Sequence, residues 1–267
     1  MRLDYGTMIS SYPLRLTVGT IRKPLIDRIF EIGFEQFGLL ENFLTLTPKD
    51  YYTKYVREQP EYWASMSDDQ KDSMTIFQAI AMDHTLQMFY LDLFRFFFEE
   101  PVDYSAGLFV ILNRGTEIRE RMNPDDILCI VNEELFYQII SILKQLCGMK
   151  VDDLELDNVP DRLFKNAKAK ALYEKMQKAK KVEAEVKERD PNYSLPNIIS
   201  AIVARHPSLN YTNIGKLTVY QVLDTFNRMR NDAFYDIDQT RVSVWGDEKN
   251  TFKPEGWYQN EYDKKES

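Results

Sequence analysis

The sequence has few of the residues from which disulfide frameworks, metal sites and phosphate-binding loops are built. Its 267 residues include two cysteines, two histidines and ten glycines, and the glycines form no glycine-rich phosphate-binding pattern. Cys129 and Cys147 read as parts of one helix, where a separation of eighteen residues corresponds to about 27 Å, too far for a disulfide. We therefore expect two free, buried thiols in a reducing compartment.

The histidines and acidic pairs do not form a catalytic pattern. His84 follows Asp83, the reverse of the His-then-Asp order in metal-dependent phosphohydrolases, and we expect it to be a core histidine. His206 stands at a predicted helix end, where a histidine suits the helix dipole. Asp125 and Asp126 are typical of a first helical turn. The sequence thus predicts no catalytic residue, no cofactor and no metal site, and we expect a protein that is not an enzyme.

An excess of positive charge is also missing, as is a long uncharged apolar run. The formal net charge is −8, which argues against a dedicated nucleic-acid binder because neutralising phosphates requires a basic face. The most apolar stretch, residues 74–98, carries Asp83, Asp92 and Arg95, so we interpret it as one buried helix instead of a membrane span. The first residues lack the apolar segment and cleavage site of a signal peptide.

The chain is, in contrast, rich in aromatic side chains. It contains 16 phenylalanines, 16 tyrosines and 3 tryptophans. Two roles are open to them, because such side chains fill cores and also supply rigid contact area at interfaces. Helical spacing dominates the apolar pattern. It predicts a mostly α fold, a multi-helix domain with a small β-hairpin insertion and a long charged linking helix.

The first 158 residues are predicted to form an N-terminal helical domain. Alternation from Leu14 to Val18 indicates a short strand, and a helix is expected to start near Pro24. Thr47 is a predicted helix cap, and Ser67 begins a capping box that precedes the long apolar helix.

The middle of this domain changes from helical spacing to β-type spacing. A β-hairpin is predicted at residues 102–122, with its turn at the sequence NRG, residues 113–115. Asn123 is then predicted to cap a helix that ends at Gly148.

Residues 159–190 are predicted to form a long charged helix that links two subdomains. Between 160 and 189, ten Lys or Arg residues stand against five Asp or Glu residues, and the apolar stripe is thin. A solvated helix with ion pairs four residues apart explains this composition. Contact with an acidic partner or a nucleic acid is the functional alternative, although Phe164 and Tyr173 are too few for a base-stacking platform.

The C-terminal region is predicted to contain a helical subdomain, residues 191–245, and an irregular tail, residues 246–267. Ser194 and Thr218 are predicted to cap its two helices, the second of which is expected to end near residue 237. The ten-residue link between them is much longer than the turn of a helix-turn-helix motif, and packing residues occupy the positions of base readers. We therefore interpret the second helix as a docking helix instead of a DNA-reading one.

Two segments resemble proteins encoded in phage structural gene clusters. The C-terminal segment reads SLPNIISAIVARHPSLNYTNIGKLTVYQVLDTFNRM and is followed by VWGDEKNTFKPEGWY, and the N-terminal segment reads IRKPLIDRIFEIGFEQFGLLENFLTLTPKDYY. The similarity covers most of the chain and rests on packing motifs. Within phage tail modules such proteins resemble tail assembly chaperones, which are understood to coat the long tape-measure protein until tail-tube subunits polymerise around it.

The resemblance implies a non-enzymatic tail assembly chaperone that binds the tape-measure protein or other tail proteins in the host cytoplasm. It implies that exposed aromatics bind the partner: Tyr220, Phe226, Trp245, Trp257. A permanent virion structural protein of the neck or of tail completion is an open alternative, and it predicts an oligomer with closed symmetry. A DNA-associated regulator using the basic helix is a third hypothesis, against which the acidic net charge counts. No membrane or nucleic-acid partner is expected, and a homo-oligomer is left open.

Overall fold

The computed structural model describes residues 2–55, 60–118, 123–149, 191–248, 251–259 and 262. The chain divides into two compact units, residues 1–150 and 151–267, and each is treated by itself. A mostly α fold is confirmed. The charged helix predicted at residues 159–190 lies outside the described residues.

The first unit consists of short helices and two small antiparallel sheets. Its helices are α1 Tyr5–Ile9, α2 Ile26–Ile32, α3 Phe34–Thr45, α4 Pro48–Asp50, α5 Pro60–Ser65, α6 Asp68–Ser73, α7 Ile76–Met82, α8 His84–Phe97 and α9 Glu133–Leu146. A π-helical turn, Tyr51–Tyr55, follows α4. The strands are β1 Leu14–Leu16, β2 Gly19–Ile21, β3 Val102–Ser105, β4 Leu108–Leu112 and β5 Ile127–Val131. β1 pairs with β2, and the order of the second sheet is β3-β4-β5.

The predicted caps at Thr47 and Ser67 are confirmed. Thr47 accepts a hydrogen bond from the Asp50 amide, and Ser67 forms a complete capping box with Gln70. The helix expected near Pro24 begins instead at Ile26, after the unpredicted strand β2, and Gly33 separates it from α3. Gly33 has a φ of 87°, a value that glycine adopts without steric cost.

The single buried helix predicted at 74–98 is wrong, because two helices meet at Asp83. The Asp83 carboxylate accepts hydrogen bonds from the amides of Thr85 and Leu86 at 2.8 and 3.1 Å, and so starts α8. A capping box of Thr75 and Gln78 starts α7. His84, the first residue of α8, is exposed and is therefore not a core histidine.

The hairpin is present but its turn and second strand differ from the prediction. β3 pairs with β4 from Val102↔Ile111 to Ser105↔Leu108. The turn lies at Ala106 and Gly107, whose φ values of 51° and 83° are both positive, as a type I′ hairpin turn requires. The NRG sequence follows the hairpin instead of forming its turn.

The helix predicted from Asn123 to Gly148 is replaced by a short 3-10 turn, a strand and α9. Asn123 caps only the turn Pro124–Asp126, and Asn132 caps α9 by accepting from the Leu135 amide at 2.9 Å. Cys129 therefore lies on β5, where it pairs with Ile111, and the helix-based distance between the cysteines does not apply. Both cysteines are free as expected, Cys147 buried and Cys129 half-buried.

The core of the first unit is an aromatic cluster where α8, α9 and β4 meet. The Phe136 ring lies 5.4 Å from Tyr90 and 5.9 Å from Phe94, and Phe94 contacts Phe109 edge-on at 4.8 Å. The Tyr90 hydroxyl donates to the Phe43 carbonyl on α3 at 2.8 Å. Much of the aromatic surplus is thus core in this unit, and the hydroxyl of the buried Tyr90 is hydrogen-bonded, as a buried phenol usually is.

In its described residues, the second unit has two main helices, α10 Leu195–Arg205 and α11 Val219–Trp245. The buried apolar residues in this described part are few: Ile198, Ile199, Ile202, Ile214, Val219, Val222. Ser194 and Thr218 occupy the predicted cap positions. Thr218 forms a capping box with Gln221, whereas the Ser194 side chain makes no capping hydrogen bond. α11 extends eight residues past the predicted end, and the tail contains a short 3-10 helix, Gly256–Tyr258.

Candidate protein-interaction surface

The first turns of α11 pack against α10. Val219 and Val222 are buried there, and α10 contributes Ile198, Ile199 and Ile202. The Thr218 hydroxyl accepts from the Gln221 amide at 3.2 Å while the Gln221 side chain accepts from the Thr218 amide at 2.8 Å. These paired hydrogen bonds fix where the helix begins and hence which residues face α10.

The apolar face that packs on α10 continues along α11 into a part of the helix where its side chains are mostly exposed. Eighteen residues make five helical turns, so Val219 and Ile237 lie on the same line of the helix, as do Phe226 and Val244. We call this line, Val219, Val222, Phe226, Ile237 and Val244, the α11 seam. Val219 and Val222 are buried, whereas Ile237 and Val244 each expose 65% of their surface.

A different side of α11 is covered by the tail. The helix ends at Gly246, whose φ is 78°, and the Asp247 carboxylate accepts hydrogen bonds from the Thr251 and Phe252 amides. The Phe252 ring then lies 5.4 Å from Tyr235. Further along the tail, Tyr262 contacts Tyr220 edge-on at 6.3 Å. The tail therefore runs back along α11 in the opposite direction, and its reversal is held at Asp247.

The charges of this region belong mainly to local pairs. Asp247 has a lowered pKa because the Phe252 and Thr251 amides donate to its carboxylate. Arg228 pairs with Asp224 at 3.1 Å, and Arg241 pairs with Asp238 at 2.9 Å. Both are pairs within one helix at exposed or half-exposed positions, so each adds little stability but holds its guanidinium in place.

The four predicted partner-binding residues do not form one cluster. Tyr220 is in the first turn of α11 and Trp245 in the last, about 37 Å apart along the helix. Phe226 is half-buried on the seam, and Trp245 exposes 80% of its surface. Trp257 lies on the tail, 4.9 Å from Tyr258. The tail is held against α11 by the Phe252–Tyr235 and Tyr262–Tyr220 contacts.

Three exposed apolar residues of α11 were missed by sequence reasoning: Phe234, Ile237, Val244. The helix was expected to end near 237, so no face was traced beyond that point. A signal was available, because apolar residues recur at Phe226, Ile237 and Val244 with helical spacing. The absence of a glycine or proline before Gly246 also indicates a longer helix.

The two histidines have structural surroundings. His206 ends α10, and its Nδ1 accepts hydrogen bonds from the Ser208 and Leu209 amides at 3.2 and 3.1 Å.

Across the described ranges, no group of three or more His, Cys, Asp or Glu side chains is arranged to hold a metal ion. Within the same residues, no helix combines the length and the apolar character that a membrane crossing requires.

Comparison with known families gives one match, and it covers this surface. Residues 173–262 match the family model described as the YomV second domain, a phage-related family of the Bacillus phage SPbeta region. The matched segment is about a third of the chain and includes all of α11. No curated protein and no solved structure matches the chain. The match supports a phage protein, and it carries no statement about tail assembly.

Proposed function

We propose that this phage-associated chain is a tail assembly chaperone, a non-enzymatic protein that binds a helical segment of the tape-measure protein during assembly. The observation that carries the proposal is the bare second half of the α11 seam. Ile237 and Val244 continue the face on which α10 packs, yet they are exposed. An apolar helix face is normally buried against another element, so an uncovered length of it is a site for a partner helix.

The mode of binding follows from the way α10 binds the first half of the seam. α10 presents Ile198 and Ile199 and, one helical turn later, Ile202. A client helix with the same spacing would occupy the second half in the helix-in-groove manner. Phe226 lies where the two halves meet, and Trp245 lies at the far end. Tyr220 contacts the tail residue Tyr262, so we place it outside the client surface.

Composition supports a protein partner in the host cytoplasm. The net charge of −8 opposes binding to nucleic acid. The exposed part of the seam is apolar and narrow, which suits a client made of repeated apolar helical segments. A small-molecule substrate would instead require a concave pocket with convergent polar groups.

The first experiment compares purified phage particles with infected-cell lysate by quantitative mass spectrometry. A chaperone is abundant in lysate, absent from particles and recovered with the tape-measure protein. If the chain is present in particles at a fixed ratio, the proposal fails and a neck or tail-completion protein takes its place.

A pair of variants on α11 tests the surface itself. Ile237→Asp places a charge on the bare seam, and we expect at least a tenfold loss of affinity for the tape-measure protein, measured with purified proteins. Gln239→Asp is the matched control, because it lies about 200° round the helix from Ile237. Equal affinity for both variants would exclude the seam as the client site.

A further inference from the structure

A second exposed face of α11 carries arginines and aromatics in alternation. Arg230, Phe234, Arg241 and Trp245 follow one another at spacings of four, seven and four residues. These steps keep all four within an arc of about 60° on the helix surface, centred about 60° round from the bare seam. All four side chains are exposed. We call this set the Arg–aromatic face.

The arginines of this face are held in place but keep their flat surfaces open. Arg230 Nη1 donates to the Tyr193 hydroxyl at 3.1 Å, and Arg241 Nε donates to Asp238 Oδ1 at 2.9 Å. Both hydrogen bonds use an edge of the guanidinium. A guanidinium stacks on an aromatic ring through its face, so neither bond prevents stacking.

The order of the four residues makes the face complementary to itself when one copy is reversed. The spacing four-seven-four is symmetric about the midpoint between Ile237 and Asp238. A two-fold rotation about that point brings Arg230 opposite Trp245, and Phe234 opposite Arg241. Every arginine of one copy then meets an aromatic ring of the other. A parallel pair would place arginine against arginine instead.

We propose that the Arg–aromatic face binds a second copy of this chain, with the two α11 helices antiparallel and joined by four arginine–aromatic contacts. Such an isologous contact closes on itself and gives a dimer. The face is about 22 Å long, so the dimer buries roughly 800 Å² in total, at the low end for specific interfaces. A reversible dimer with a Kd on the order of 10–100 µM is expected.

The dimer and the client site lie on neighbouring faces of α11 that have Trp245 in common. The client site uses Ile237 and Val244, whereas the dimer uses the Arg–aromatic face. Ile237→Asp is therefore expected to weaken client binding more than dimerisation, and substitutions at Phe234 or Arg241 are expected to do the reverse.

Sedimentation velocity on the full chain, from about 1 µM to about 500 µM, tests the dimer. Phe234→Arg sets arginine against arginine and is expected to weaken dimerisation at least tenfold. Arg241→Phe sets ring against ring and also weakens it. Mixing the two variants restores all four arginine–aromatic contacts, so the mixture should associate more tightly than either variant alone. Phe30→Arg, at an exposed position of α2, is the matched control and should leave dimerisation unchanged.

Three results would overturn the proposal. One is a wild-type chain that stays monomeric over the whole concentration range. If Phe234→Arg then abolishes client binding, the face belongs to the client and not to a second copy. Another is a mixture no tighter than its components, with circular dichroism showing that both variants are folded. The third concerns the orientation of the two helices. In a mixture of Phe234→Cys and Arg241→Cys chains, disulfide trapping should yield links from position 234 to position 241. Links from 234 to 234 would contradict the antiparallel pair.

Discussion

The helices α9 and α11 share a capped start and an apolar face, and they differ in how that face is covered. α9 buries eight of its fourteen residues, whereas α11 has only Val219 and Val222 buried among 27. The described core of the second unit thus accounts for the first turns of α11, and it leaves Ile237 and Val244 of the second half exposed. We infer that the length of α11 beyond its core serves contacts outside that core.

The aromatic residues follow the same division. In the first unit, Phe94, Phe109 and Phe136 are fully buried and contact one another. In the second unit, Phe234 and Trp245 are mainly exposed. The two roles left open by composition are therefore both present, with core aromatics in the first unit and surface aromatics on α11.

The largest effect that would sharpen this comparison is expected at Phe136. Phe136→Ala removes the ring at the centre of the aromatic cluster and should lower the free energy of unfolding of the first unit by about 3–5 kcal/mol. Phe234→Ala, the matched change on α11, should alter stability by no more than about 0.5 kcal/mol. Urea unfolding followed by circular dichroism measures both. Similar losses of stability in the two variants would contradict the difference between core and surface aromatics.

A slightly smaller effect is expected where α10 packs on the covered half of the seam. Ile202→Ala should destabilise the second unit by about 2–4 kcal/mol, because the Ile202 side chain is fully buried. Hydrogen exchange of the amides in α10 and early α11 reports this unit separately. Ile237→Ala, in the exposed half of the seam, is the control. If both variants reduced the protection of these amides equally, the bare half would have to be packed as well.

A pH effect is expected in the first unit. Burial raises the pKa of Glu41 from 4.5 to about 7, and the same burial, with the Glu41 charge nearby, raises the pKa of the Cys147 thiol. Between pH 4.5 and 7 the folded state thus binds more protons at Glu41 than the unfolded state does. Stability should therefore fall as pH rises through this window, by up to about 3 kcal/mol.

Glu41→Gln removes this titration, and thermal unfolding at a series of pH values should become flatter. Glu35→Gln, at an exposed position of the same helix, serves as the control and should retain the wild-type slope. A slope that persists in Glu41→Gln would assign the titration to another group.

The smallest effect concerns the start of α11. Thr218→Ala removes the capping hydroxyl and should cost about 1 kcal/mol, while Thr218→Ser keeps the hydroxyl and should cost less. Amide exchange in the first turn of α11 is the measurement. A loss as large in Thr218→Ser as in Thr218→Ala would mean that the buried methyl group, and not the cap, sets the stability there.

Helix starts could be predicted from the sequence because capping depends on residues three positions apart. Thr47, Ser67 and Thr218 all accept from the expected amides. The same local logic failed at Asn123, since Asn132 is an equally good cap nine residues later and the apolar run ILCIV between them suits a strand or a helix. The pairing of this apolar run with β4 made it a strand, and β4 is distant from the run in sequence.

The sequence by itself determined a mostly α chain, the capped helix starts at Thr47, Ser67 and Thr218, and two free cysteines. These properties depend on composition and on short-range spacing. Only the tertiary structure decided which half of α11 is covered, because coverage depends on where α10 ends and on how far the tail returns along the helix. Exposure of Ile237 and Val244 is a property of their neighbours, and no local pattern of residues specifies it.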